Sequence, residues 1–142
     1  MKIHIVNKGE DHIEGYERVE LQNGEVNLSG YSDNECDFIM ASDCLDFLEY
    51  NSAKDFLLQA RQKLRIKGTL LVGGADIRML ARSIIDESID LETANGFIFS
   101  KKSLLDINTV ARMAADLGLQ VVSTRISGIH YEIESSRQLA AN

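Results

Sequence analysis

The side chains in this chain that could do chemistry are mostly acidic. Asp43 and Asp46 stand just after an apolar run, DFIMA, that ends at Ala41. Asp76 follows Gly73-Gly74, after a second apolar run from Thr69 to Val72. A carboxylate at such a place can bind a polar group or take a proton; more commonly it caps a helix or is solvated. Cys36 and Cys44, the only cysteines, bracket one predicted strand. At ~3.3 Å per residue that strand holds them far beyond disulfide reach, so free core thiols are expected. His4, His12 and His130 show no metal-ligand spacing, and no metal site is implied. Neither a P-loop nor a GxGxxG motif is present.

Elements must position these groups, and composition bounds what they can build. The 142 residues suit one domain, which can bury ~70% of its unfolded surface. The net charge of −7 disfavours a general grip on nucleic acid, which needs Lys and Arg to displace counterions. Two cationic groups, Arg61/Lys63/Arg65/Lys67 and Lys101/Lys102, read as solvated helix ends. No run of ~18 apolar residues predicts a membrane span. The first residues, MKIHIVNKGEDH, lack the apolar stretch of a signal peptide, so a cytoplasmic location is expected.

Lys2 to Val6, Gly15 to Leu21 and Glu25 to Leu28 read as short strands, the last after an Asn23-Gly24 turn. Asp37 to Ala41 is apolar throughout its length after Asp37, the pattern of a strand covered on both faces. Ala53, Phe56, Leu57, Ala60 and Leu64 share one helical face, with Ser52 as N-cap and Gly68 as stop. Thr69 to Val72 reads as a strand broken by Gly73-Gly74. Ile77, Leu80, Ala81, Ile84 and Ile85 share a second helical face. Asp106 caps a helix ended by Gly118, and Leu119 to Arg125 reads as a strand. Alternation of Ile129, Tyr131 and Ile133 predicts an antiparallel closing strand. These patterns predict an α/β three-layer sandwich with a mostly parallel sheet. The expected domain spans residues 1–134, with residues 135–142 as a tail.

The order and spacing of GYERVEL (Gly15 to Leu21) and DFIMASDCLDFL (Asp37 to Leu48) carry a resemblance. On these motifs the chain resembles small class I S-adenosylmethionine-dependent methyltransferases of the methyltransferase type 11 kind, from Met1 to about Ile133. The resemblance implies a Rossmann-like sandwich with S-adenosylmethionine at the strand C-terminal edge, near Asn7, Gly9, Glu20, Ser42 and Asp43. Glu20 takes the place of the acidic residue that holds the cofactor ribose, where a strand-end carboxylate accepts both hydroxyl protons. Methyl transfer is an in-line displacement in which positioning does much of the work. Asp43, Asp46 and Asp76 are the candidates to bind or deprotonate an acceptor; no catalytic residue is assigned.

Three departures accompany the resemblance. Lys63 to Leu70 looks like the family's Leu-Lys-Pro-Gly-Gly turn, with Ile66 in place of proline and Thr69 in place of a glycine. Asp46-Phe47 stands where many relatives have Glu-His, so the imidazole is absent. The glycine-rich turn aligns with Val6-Asn7-Lys8-Gly9, where only Gly9 remains. Glycine serves there by tolerating positive φ and close backbone approach. The expectation is therefore a methyltransferase-like protein with weakened or lost S-adenosylmethionine binding. The alternative is a non-catalytic binding or assembly module. The partner is then a methyl acceptor, a protein, or a second copy paired along the edge near Gly15 to Leu28.

Overall fold

The computed structural model describes residues 1–139. Six strands form one sheet: β1 (Lys2–Val6), β2 (Glu17–Glu20), β3 (Cys36–Ala41), β4 (Leu64–Ala75), β5 (Leu119–Ser127) and β6 (His130–Arg137). Their order is β2-β1-β3-β4-β6-β5. The first four strands run parallel, and β6 is antiparallel to both β4 and β5. Four helices connect them: α1 (Ser52–Lys63), α2 (Ile77–Ile85), α3 (Leu91–Phe99) and α4 (Ile107–Asp116). This is the mostly parallel α/β architecture with an antiparallel closing strand that the patterning predicts, and the Rossmann-like form that the resemblance implies.

The core lies on one face of the sheet. Ile3, Ile39, Leu70 and Ile133 meet Phe56, Leu57 and Ala60 of α1 and Val110 and Ala114 of α4 there, all fully or almost fully buried. The α1 and α4 connections both advance toward β5, so right-handed crossovers place them on the same side. The link from β1 back to β2 advances the other way and crosses the opposite face. That link, residues 7–16, contains no helix. Parallel neighbours are ordinarily joined through a helix, so the layer on this face is reduced to an irregular segment. It is pinned by Ile13 N donating to His4 Nδ1 at 3.0 Å, and by the Tyr16 ring set edge-on against Phe38.

Several local expectations are corrected. Glu25 to Leu28 is not a strand. Asn23 and Gly24 turn at positive φ, and Gln59 of α1 takes over the backbone pairing, accepting from Leu28 N and donating to Val26 O, each at 3.0 Å. The α1 N-cap residue is Asn51 rather than Ser52, and neither side chain caps it. Gly68 does not stop that helix: β4 already begins at Leu64. A Cβ on Gly68 would stand 2.8 Å from Cys36 O, so the close approach of β3 requires glycine there. Gly73 and Gly74 lie within β4 rather than breaking it. The helix α3 has no counterpart in the predicted elements. Asp106 and Gly118 do bound α4 as expected, the first accepting from Thr109 N and the second at φ +87°. The closing strand runs on to Arg137, so the expected tail begins inside β6, and only residues 140–142 of it lie outside the described residues.

Candidate functional site

The C-terminal edge of the parallel strands gathers the residues singled out in the sequence. Val6 pairs with Glu20, and His4 pairs with Met40. Carried forward two residues, that register sets Ser42 level with Val6. Adjacent strands stand ~4.8 Å apart, so the Glu20 and Ser42 backbones lie about 10 Å from one another. Asn7, Gly9 and Asp43 follow directly from the ends of β1 and β3. All five residues therefore share one edge of the sheet.

A cleft of about 640 Å³ lies outside β2 and is lined by Glu20 with Arg18, Gln22, Asn27 and Tyr31. Neither Asn7, Gly9, Ser42 nor Asp43 lines it. Glu20 is also engaged: Arg18 Nη2 lies 2.8 Å from its carboxylate. The same guanidinium donates twice to Glu10 O, at 3.2 Å each. Arg18 thus ties the β1–β2 link to the carboxylate that the family resemblance reserves for a ribose.

The first loop closes on itself. Glu10 N donates to Asn7 O at 3.1 Å, with Gly9 at φ +80°. That is the geometry of a type II turn, whose third residue favours glycine. Such a turn spends its amide on its own carbonyl, whereas the N-terminus of a helix would leave several amides for a ligand. Val6 is not part of the turn. It ends β1 and is buried at 2% exposure. Glycine at position 6 would remove a buried strand side chain.

The three candidate acceptor carboxylates part company. Asp76 is buried and fully used: its Oδ1 accepts from Arg78 N and Met79 N at the start of α2, and its Oδ2 from Ile107 N at the start of α4. It is a cap shared by two helices. Asp46 is buried and lies 3.0 Å from Lys101 Nζ. Asp43 remains exposed. Partial desolvation of its carboxyl, reinforced by the Asp46 and Glu10 carboxylates, raises its pKa above the ordinary aspartate value despite His130 and Lys101. Of the three, only Asp43 offers an unoccupied carboxylate to solvent at this edge. Cys36 and Cys44 are both buried free thiols, and burial pushes both pKa values up, as suits inert core cysteines.

Three of the six cations read as solvated helix ends meet a carboxylate here and Lys101 meets another, while Arg65 and Lys67 lie in β4 rather than at the helix end. Lys63 meets Asp33 at 2.8 Å, Arg65 meets Asp37 at 2.6 Å, and Lys102 meets Glu49 at 3.4 Å. Sequence reasoning missed Arg18, and it misread Lys101, expected as a solvated helix end but only 12% exposed and paired with Asp46. Arg18 sits two residues before Glu20 on a strand, which puts both on one face; that spacing was a usable signal. Lys101 carried none, because its partner Asp46 is distant in sequence.

The His4 contact makes the loop pH-sensitive. Burial, then the nearby His12, hold its pKa below the ordinary value of 6.5, against an opposing pull from Glu10. The neutral ring accepts from Ile13 N, and the protonated ring cannot. A depressed histidine pKa contributes stability that is complete above the unfolded value, about 6.5, and fades as pH falls through the lower folded value. The Ile13 amide is expected to exchange faster below pH ~6.5, beyond the intrinsic pH effect on exchange. Amide exchange followed by NMR checks this; no acid-side change at Ile13 would mean that the ring does not hold the loop.

Comparison with known proteins places this architecture. No protein-family model and no curated protein matches the chain. Solved structures do. An S-adenosylmethionine-dependent methyltransferase from Thermotoga maritima superposes with a TM-score of 0.61 at 16% identity, over 87% of this chain and 65% of that one. Another from Archaeoglobus fulgidus gives 0.61 at 14%, over 87% and 68%. A chain from a Haloferax volcanii complex between a methyltransferase and its activator gives 0.61 at 9%, over 93% and 65%. The chain thus has the fold of the class I S-adenosylmethionine-dependent methyltransferases, and it spans about two thirds of the length of these structures. Among the described residues no helix is long and apolar enough to cross a membrane.

Proposed function

We propose that this chain is a methyltransferase-fold protein whose hold on S-adenosylmethionine is weak or lost. The observation that carries the proposal is the helix-free link between β1 and β2. In this fold that link would offer free helical amides and a glycine turn to the cofactor. Here it is a self-closed turn, tied by Arg18 to the Glu20 carboxylate. Asn7, Gly9, Glu20, Ser42 and Asp43 keep the cofactor's edge without enclosing its volume. A cytoplasmic location belongs to the same proposal.

Calorimetric titration tests it. The unmodified protein is expected to show no saturable S-adenosylmethionine binding in the micromolar range, and Glu20→Ala is expected to change nothing. A charged-group hydrogen bond is worth ~1.5–3 kcal/mol, about ten- to a hundredfold in affinity. Micromolar binding that weakens by that factor in Glu20→Ala would overturn the proposal and make the chain a cofactor-binding methyltransferase.

A second reading, a binding or assembly module, is favoured by the surface of α2 and α3. Ile85, Leu91 and Phe99 are 82%, 72% and 81% exposed. Large apolar side chains left this exposed are candidates for contact with a partner. The activator complex among the similar structures is consistent with a protein partner. Pairing of two copies along β2 is the weaker form of this reading, because that edge offers only Glu17–Glu20 and is lined with charge.

A further inference from the structure

The ammonium of Lys101 occupies an unusual environment for a lysine beside a helix end. Its Nζ lies 4.4 Å from the centre of the Phe47 ring and 4.7 Å from that of Phe97. The Asp46 carboxylate lies 3.0 Å away, and the lysine side chain is only 12% exposed. Two aromatic faces and a carboxylate around one ammonium are the elements by which proteins recognise organic cations. Here the cation is the protein's own.

The fit is incomplete. Asp46 Oδ2 receives Lys101 Nζ and, at 3.4 Å, Ala75 N. Asp46 Oδ1 is buried and has no partner. An unpaired oxygen on a buried carboxylate is costly. An ammonium has three donors, yet the lysine stem, anchored beyond α3, delivers its head to one oxygen only. A free ammonium has no stem to constrain it and can address both. The backbone of the anchoring segment need not move for this exchange. Lys102 N and Ser103 N are bonded to Asp46 O, so only the lysine side chain has to swing out to open the space to solvent.

We propose that Asp46, Phe47 and Phe97 form a binding site for an organic ammonium group, held shut by Lys101. None of its residues is among the five at the cofactor edge, although Asp46 follows Asp43 by three residues and their charges interact. The ligand class is a primary or methylated alkylammonium. Lys101 acts as an internal competitor that lowers the apparent affinity of the unmodified protein.

The test is an NMR titration of the unmodified protein, Lys101→Ala and Lys101→Met with n-butylammonium and with tetramethylammonium. Potassium chloride at equal ionic strength is the reference. Lys101→Ala is expected to bind at least one of the two organic cations saturably, with Kd on the order of millimolar. The unmodified protein should bind about tenfold more weakly or less, as for any site whose open state is the minor one. Lys101→Met fills the aromatic walls without charge and should not bind. Adding Phe97→Ala to Lys101→Ala should weaken binding about fivefold or more through loss of one wall. If Lys101→Ala leaves Asp46 too poorly compensated to fold, refolding in either organic ammonium salt but not in potassium chloride is the supporting result. Equal refolding in both salts, or in neither, overturns the proposal. So does a folded Lys101→Ala that fails to bind, or an unmodified protein that binds as tightly.

Discussion

Gly73→Ala is expected to cost the protein about 3 kcal/mol or more, the upper range for overpacking a rigid interior. A Cβ at this position would stand 2.3 Å from Ser42 O and 2.5 Å from Tyr131 O. Both obstacles are backbone atoms, one just beyond β3 and one in β6, the strands that flank β4. A flexible side chain could rotate away, but these carbonyls can yield only if a neighbouring strand shifts. Gly74→Ala supplies the control: its nearest atoms, all of Asp46, stand at 3.4 Å or more. That substitution is expected to cost less than about 1 kcal/mol, since it meets only ordinary contact. Urea unfolding of the two variants separates them. Equal destabilisation would mean that the close strand approach at Gly73 does not carry the cost, because the chain-entropy effect of Gly→Ala is stabilising. The shift of β3 should also reach Ser42, linking this stability defect to the candidate edge.

The contrast between these glycines shows what was legible in the sequence. Gly73-Gly74 read as a strand break, because glycine commonly interrupts strands. Its meaning here is the separation of neighbouring backbones, a tertiary quantity absent from any local window. The same holds for Gly68, which looks like a helix stop and is a point of close approach to Cys36. Where local chemistry alone decides, the expectation stood: Asp106 caps α4, Gly118 ends it, and Ile129, Tyr131 and Ile133 alternate into the antiparallel β6. The expectation that Glu20, Ser42 and Asp43 share one sheet edge came from the resemblance of GYERVEL and DFIMASD to the methyltransferase frame, not from local patterning. The state of that edge was legible in neither. In the sequence the departure of the first loop is carried by Val6 and Lys8, whereas the structure shows a β1–β2 connection without a helix. Exposure misled as well. The apolar face of α2 predicts burial for Ile77 and Ile85, yet they are 42% and 82% exposed, with only Leu80 buried on that helix. A periodic stripe reports a face able to bury, not the presence of something to bury it.

Ending the chain at Glu134, where local patterning sets the domain boundary, is expected to abolish cooperative folding. Truncation tolerance depends on the burial and pairing of the backbone removed, and these residues are paired on both sides. Ser135 and Ser136 lie opposite Leu70 and Thr69 of β4, and Ser135, Ser136 and Arg137 lie opposite Val121, Gln120 and Leu119 of β5. Ser135 is fully buried. Their loss would leave the buried end of β5 attached to nothing on its inner side. Arg137 adds a second role. Its Nη1 donates to Leu64 O at 2.7 Å, to Arg61 O at 3.0 Å and to Asn34 Oδ1 at 2.6 Å. One guanidinium therefore caps the C-terminal carbonyls of α1 and joins them to the loop before β3, the service that basic side chains give helix ends. Hydrogen bonds to a charged group contribute ~1.5–3 kcal/mol, so Arg137→Ala alone should lower stability by about 2 kcal/mol or more while leaving a single transition. Against a typical net stability of ~5–15 kcal/mol, that variant remains folded, whereas the truncated chain loses the cap and the ladder together. Thermal unfolding followed by circular dichroism distinguishes the outcomes. A truncated chain that melts cooperatively, near the temperature of Arg137→Ala, would show that the guanidinium cap carries the effect and that the last rungs of β6 add little.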